Sequence, residues 1–158
     1  GWVNFPDHGG RRYIREVVVP CGGVPPTALA VVTSDLTALM ERDAALQRTE
    51  ARKAAIIDNA LAAIVTTDGE GHIVEFNPAA EAMFGVARAQ AVGRNVAEVM
   101  IPARHREAHE AGMRRMAAGG PPRVMGRRLE MHARRADGSE FPIEMVLWRT
   151  DVAGATYY

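Results

Sequence analysis

The segment "HREAHEAGMRRM", residues 105 to 116, places His105, His109, Met113 and Met116 at i, i+4, i+8 and i+11. On an α-helix such residues form one continuous stripe, because side chains three and four apart share a face. The opposite side carries Glu107 and Arg114. A neutral imidazole is a common metal ligand, and one presented by a helix is the usual proximal ligand of haem iron. Methionine thioethers beside it suit an apolar, polarisable macrocycle. Packing is the competing reading of the same stripe, with His109 as a core, rim or solvated residue.

Other chemistries have less to stand on. His105 and His109 with Glu110 offer two imidazoles and a carboxylate, but no further ligand follows at convincing spacing, and a His-Glu-x-x-His pattern is absent. No Gly-rich stretch continues into Gly-Lys-Ser/Thr, so there is no phosphate loop. No nucleophile–base pair and no paired carboxylates can be placed in one pocket, which argues against an enzyme. The arginine pairs at 114–115, 127–128 and 134–135 lack interleaved aromatics and read as solvated faces, not as a nucleic-acid surface. The 19 basic and 19 acidic side chains cancel, leaving no bulk field to attract nucleic acid or anionic membrane. No apolar run has the length of a membrane span. Cys21 is the single cysteine, which excludes an internal disulfide and suits a reducing cytosol. The expectation is a cytoplasmic protein.

The elements that must position the stripe follow from the surrounding pattern. "RYIREVVVP" (12–20) and "TALAVVTSDL" (27–36) are β-branched segments separated by a turn, and they predict an antiparallel hairpin. From Ser34 the chain has no Gly or Pro until beyond residue 60, and its Ala, Leu, Glu and Arg content predicts a helix of about 25 residues. Leu39 and Leu46 are seven apart, while Asp43 and Glu50 interrupt the seam. The helix therefore reads either as a pairing connector or as a single amphipathic linker.

Beyond it, "AAIVTTD" and "HIVEFN" flank the turn "GEG" as a hairpin. Asn77-Pro78 opens a short helix that Gly85 stops, and a second short helix ends at Gly93. "NVAEVMIP" closes that region. A longer helix spans 103–118 and stops at Gly119-Gly120 and Pro121-Pro122. Strands are expected over 123–135 and 140–150 around an Asp137-Gly138 turn, with "GATYY" as the beginning of a last strand cut short. The fold class is α+β: an antiparallel sheet of about five strands with helices on one face. On the third of these strands Leu129, Met131 and Ala133 point one way, and Arg128, Glu130 and His132 the other.

"IVTTDGEGHIVEFNPAAEAMFG", "GRNVAEVMIP" and "GRRLEMHARRADGSEFPIEM" closely resemble a PAS domain of a bacterial signalling protein, over about residues 54–158. "SDLTALMERD" is similar to the end of an upstream PAS domain, where Leu36 replaces the isoleucine of an Asp-Ile-Thr motif. The resemblance implies three parts: residues 1–34 as the C-terminal hairpin of an upstream PAS domain, 35–57 as a connector or signalling helix, and 58–158 as a PAS domain with a truncated last strand. It implies a regulatory module and no enzyme. Such a module binds a small molecule, a gas or a cofactor between helices and sheet, or forms a homodimer. It relays a change through its flanking helices to an output such as a histidine kinase of a two-component system, a diguanylate cyclase or a phosphodiesterase.

"REAHEAGMRRMAAGG" and "RVMGRRLEMHARRADG" are further similar to haem-binding PAS domains of oxygen-sensing phosphodiesterases and, more loosely, of oxygen-sensing nitrogen-fixation kinases. This implies haem as cofactor, His109 as ligand of its iron, and Met113, Arg127, Leu129 and Met131 around it. Arg127 stands where those phosphodiesterases carry a methionine as sixth ligand. Leu129 stands where both families keep an arginine that holds bound oxygen, so a charged hydrogen bond is missing there. Arg127, two residues earlier on the same strand face, is a candidate to supply that charge, or to pair with a haem propionate or a metabolite carboxylate. The flavin-photosensing Asn-Cys-Arg-Phe type of motif is absent. Trp148 is either a stacking partner for a non-covalent flavin or a core residue. The alternative to a ligand-binding sensor is a cofactor-free PAS module that dimerises and relays.

Overall fold

The computed structural model describes residues 2–7, 10–25, 28–121 and 124–158. Thr27, Pro122 and Arg123, at the margins of an expected strand, helix stop and strand, lie outside the described residues. The chain divides into two compact units, residues 1–54 and 55–158.

The first unit is a three-stranded antiparallel sheet in the order β1 (Trp2–Asp7), β2 (Gly10–Cys21), β3 (Ala28–Asp35). The expected hairpin is β2–β3, registered from Ile14 opposite Asp35 to Cys21 opposite Ala28. β1 was not expected, since its six residues include Asn4 and Pro6 and show no apolar alternation. α1 (Thr37–Asp58) follows, opened by Asp35, whose Oδ1 accepts the Thr37 N–H at 2.9 Å. The hydrogen bonds from Thr37 hold the Asp35 carboxyl below its ordinary pKa. No residue of α1 is buried, and Leu39, Leu46 and Ile56 are exposed.

The second unit carries β4 (Val65–Thr67), β5 (Ile73–Phe76), α2 (Pro78–Phe84), α3 (Arg88–Ala91), α4 (Val96–Met100), α5 (Ala103–Ala117), β6 (Arg128–Arg134), β7 (Glu140–Val146), β8 (Thr150–Val152) and β9 (Ala155–Tyr157). β4 pairs with β5, and Thr67 exchanges backbone hydrogen bonds with Tyr158 (2.8 and 2.9 Å), so the ladder continues onto β9 and then β8. β6 pairs with β7 from Arg128 opposite Val146 to Arg134 opposite Glu140. The strand expected over 140–150 is broken: Leu147–Arg149 leave the ladder between β7 and β8, where Leu147 bridges Met125 and accepts the Gly126 N–H at 2.9 Å. "NVAEVMIP" forms α4, capped by Asn95 Oδ1 on the Ala97 N–H. The segment 93–96 also covers the outer edge of β5, through Gly93 N–H to Ile73 O, Ile73 N–H to Arg94 O and Val96 N–H to Gly71 O.

The core is Ile73, Phe76, Ala80, Phe84, Val86, Ala91, Val99 and Ala133, with Phe141 and Ile143 packed against it. Phe84 is its hub, with ring centroids 6.1 Å from Phe76 and 5.8 Å from Phe141, both tilted. Asn77 lies inside this core with no exposed surface. Its Oδ1 caps α2 on the Ala80 N–H and also accepts the Ile64 N–H, both at 2.9 Å. Its Nδ2 donates to Ile57 O at 3.1 Å and Ala62 O at 3.0 Å. A buried amide is tolerated because each of its polar atoms is used.

Candidate functional site

α5 begins after Pro102, which is itself buried, and stops at Ala118–Gly119, where Gly119 has φ 76°. Its inward face differs from the expected stripe at one end. His105 is exposed, and Arg106 takes the inward position, donating Nε to Ile101 O at 3.2 Å and Nη2 to Glu98 O at 3.4 Å. These main-chain carbonyls at the end of α4 select a long donor over an imidazole at that turn. His109, Gly112, Met113 and Met116 continue the half-buried face. No residue of α5 is fully buried.

His109 Nδ1 is buried and has no hydrogen-bond partner. Burial holds the imidazole pKa below its ordinary value, against the smaller opposing pull of Glu110. His109 is therefore neutral at pH 7, the form that can ligate a metal. Met113 reaches the β4–β5 turn: a Cβ built on Gly71 would lie 3.7 Å from its methyl carbon.

The second half of the expected site lies on β6 and β7. Leu129, Met131 and Ala133 face Met145, Ile143 and Phe141 across the ladder, so these six apolar residues share one sheet face. Coverage of that face is uneven, with Ala133 at 2% exposure and Met131 at 42%. Two apolar faces, one on α5 and one on the β6–β7 ladder, thus stay only partly covered although both belong to the interior side of their elements.

Arg127 departs from expectation. β6 begins at Arg128, and Arg127 sits in the bend after Gly126 (φ 68°), exposed, so it does not share a strand face with Leu129. Gly126 donates to Leu147 O in the turn that precedes β6, and because the strand begins only at Arg128 its alternation does not reach back to Arg127. Trp148 is likewise neither on a strand nor in the core. It is 66% exposed and lines a cleft of about 310 Å³ with Met116, Met125, Gly126 and Tyr158. A second cleft, of about 280 Å³, lies among α3, α4 and the end of β6. Neither cleft includes His109. Among the described residues no group of three or more His, Cys, Asp or Glu side chains gathers as a metal site. Sequence reasoning missed Arg106 and Arg134; both turn inward onto the same Glu98 carbonyl, and no local pattern announces that.

Three comparisons bear on this arrangement. The chain is 43% identical over 98 residues to an uncharacterised protein of Azorhizobium caulinodans, covering 62% of this chain and 13% of that one. It is 31% identical over 104 residues to the oxygen sensor protein DosP of Escherichia coli, covering 66% and 13%. It is 26% identical over 130 residues to the sensor protein FixL of Bradyrhizobium diazoefficiens, covering 82% and 26%. The chain thus spans only a small part of these relatives. A PAS domain of an HTR-like protein from Haloarcula marismortui superposes with a TM-score of 0.56 at 23% identity, over 75% of this chain and 93% of that one, which shows the shared fold. Among the described residues no helix is long and apolar enough to cross a membrane. The family model for the PAS fold matches residues 51–149, and with it the chain belongs to the PAS family of regulatory sensory domains.

Proposed function

We propose that this PAS domain is a sensor whose cofactor is haem, with His109 as ligand of the iron. The observation that carries the reading is the buried, partnerless Nδ1 of a neutral His109 on a methionine-bearing helix face. The similarity to an oxygen sensor protein supports it. One imidazole suffices, because a porphyrin brings its own nitrogen ligands to the iron; that no three-ligand cluster gathers among the described residues is no obstacle. The residues present suit the group: Met113 and Met116 on α5, and Leu129, Met131, Ile143 and Met145 on the ladder, offer apolar surface to a flat macrocycle. Haem would supply an iron centre able to bind a diatomic gas.

The chain's own part is to hold, orient and exclude water. Burial keeps the His109 proton off one ring nitrogen, and the half-covered methionines can close on an apolar edge. Leu129 brings no hydrogen-bond donor to the sheet side, and Arg127 lies outside the strand, so discrimination among gases rests on apolar contact and not on a charged donor. The signal passes through α1 to an output such as a histidine kinase, a diguanylate cyclase or a phosphodiesterase in a cytoplasmic signalling protein. The exposed Leu39, Leu46 and Ile56 of α1 suit a homodimer in which this helix pairs with its copy.

The test is an ultraviolet–visible titration with haemin of the wild type and of His109→Ala. A sharp Soret band that shifts with carbon monoxide and is lost in the variant is the expected result. No Soret band in the wild type after reconstitution overturns the haem reading. Concentration-dependent association in sedimentation would then leave the domain as a dimerising relay.

A further inference from the structure

The cleft of about 280 Å³ among α3, α4 and β6 shares no residue with the His109 face; Val86, Gln90, Arg94, Glu98, Val99 and Arg134 line it. Its charges do not balance. Two guanidinium groups face one carboxylate, and the Arg94–Glu98 pair is stretched to 3.9 Å between two exposed side chains. Arg134 does not draw on that carboxylate. Its Nη2 donates to the main-chain carbonyl of Glu98, and its Nε is buried without a partner.

The neighbouring arginines have acceptors at the Nε position or a carboxylate partner; Arg106 donates Nε to Ile101 O and Nη2 to Glu98 O. Arg88, Arg104 and Arg128 each pair with a carboxylate, on Glu75, Glu140 and Glu144. Arg135 donates Nε to Met83 O at 3.1 Å and stacks 3.8 Å above the Phe141 ring. Arg134 is thus a half-buried cation with a neutral acceptor at one nitrogen and nothing at another.

A buried N–H without an acceptor costs more than a made hydrogen bond returns, and an acceptor reaching it recovers that cost. The guanidinium fork matches two oxygens of one carboxylate or phosphate. We infer that this cleft is a binding site for a small oxyanion, with Arg134 as its bidentate anchor, Arg94 as a second cation and the Gln90 amide as a further donor. The volume of about 280 Å³ falls just below the range of ligand pockets, about 300 Å³ upward, so the ligand is a free small anion or the head of a larger one. Glu98 works against it and sets the affinity low. This site is independent of haem at His109.

The test uses the full chain and nuclear magnetic resonance of the arginine Nε–H groups. Sodium phosphate and sodium malonate are titrated separately, with sodium chloride at matched ionic strength. One Nε–H resonance should move saturably with phosphate or with malonate, and whichever binds more tightly names the source chemistry. Chloride should leave it in place. Arg134→Lys keeps the charge but lacks the fork: the resonance should vanish and affinity should fall about tenfold. Arg94→Gln, at an exposed side chain, should weaken binding severalfold without disturbing the fold, and Glu98→Gln should tighten it. The inference is overturned if neither anion gives a saturable shift, if chloride does the same, or if the Arg94 and Arg134 variants bind as the wild type does.

Discussion

Replacing Asn77 by alanine tests the packing argument most directly, because that one side chain makes four hydrogen bonds inside the core. Removing the helix cap on Ala80 costs about 1 kcal/mol. The Ile64 N–H then loses its acceptor in a part-buried place, for about 1 to 3 kcal/mol. Ile57 O still receives the Ala60 N–H at 3.2 Å, so Ala62 O is the carbonyl left bare. The loss is on the order of 3 to 4 kcal/mol, a large share of the roughly 5 to 15 kcal/mol that holds a domain. Asn77→Ser keeps an oxygen for the cap and should recover about 1 kcal/mol. With two units in one chain a single melting temperature is ambiguous. Hydrogen exchange followed by mass spectrometry on peptides spanning 62–84 isolates the relevant region, and 3 kcal/mol there is roughly a hundredfold faster exchange. A change below about 1 kcal/mol, or a serine variant no better than alanine, would refute this account of Asn77.

The remaining predictions concern protonation and backbone. His109 has its pKa held below the ordinary 6.5 by burial, so on acidification the unfolded chain takes up this proton before the folded one does. In protein without added haemin the His109 contribution is intact above about pH 6.5 and is lost as pH falls toward the lowered folded value. His109→Gln should flatten that part of a stability-against-pH curve from urea midpoints, and an unchanged slope would place the titration elsewhere. Gly85 ends α2 at φ 68°, and a Cβ there would meet the Ala136 Cβ at an ordinary 3.8 Å. Gly85→Ala should therefore cost only the backbone term, about 1 kcal/mol, and Gly85→Asn less. A loss several times larger in a denaturation curve would mean a steric clash that the geometry does not contain.

Where function is concerned, residue chemistry reached the individual side chains and stopped short of their surroundings. His109 could be singled out from its spacing with Met113 and Met116. That its Nδ1 is buried and unpartnered depends on what lies beside α5, and so on contacts distant in sequence. Alternation counted back from Leu129 puts Arg127 on the same face, but the strand begins only at Arg128, after the turn at Gly126. The sequence pattern places Trp148 on a strand because nothing local distinguishes Leu147–Arg149 from the residues of β7. Arg134 looked like one of a solvated pair; its anchoring to Glu98 across 36 positions has no local signal.

What the sequence by itself determined is the set of short-range decisions. Asn77-Pro78 starts a helix and Gly85 ends it, since a capping oxygen and a left-handed residue act within four positions. Asp137 Oδ1 accepting the Ser139 N–H at 2.8 Å closes the β6–β7 turn in the same way. The tertiary structure alone decided that Arg106 and not His105 turns inward on α5, where the strand expected over 140–150 breaks, and that Arg134 meets a main-chain carbonyl and no carboxylate. The physical reason is that periodicity states which side chains share a face, while the direction of that face is chosen by the surface against which it packs.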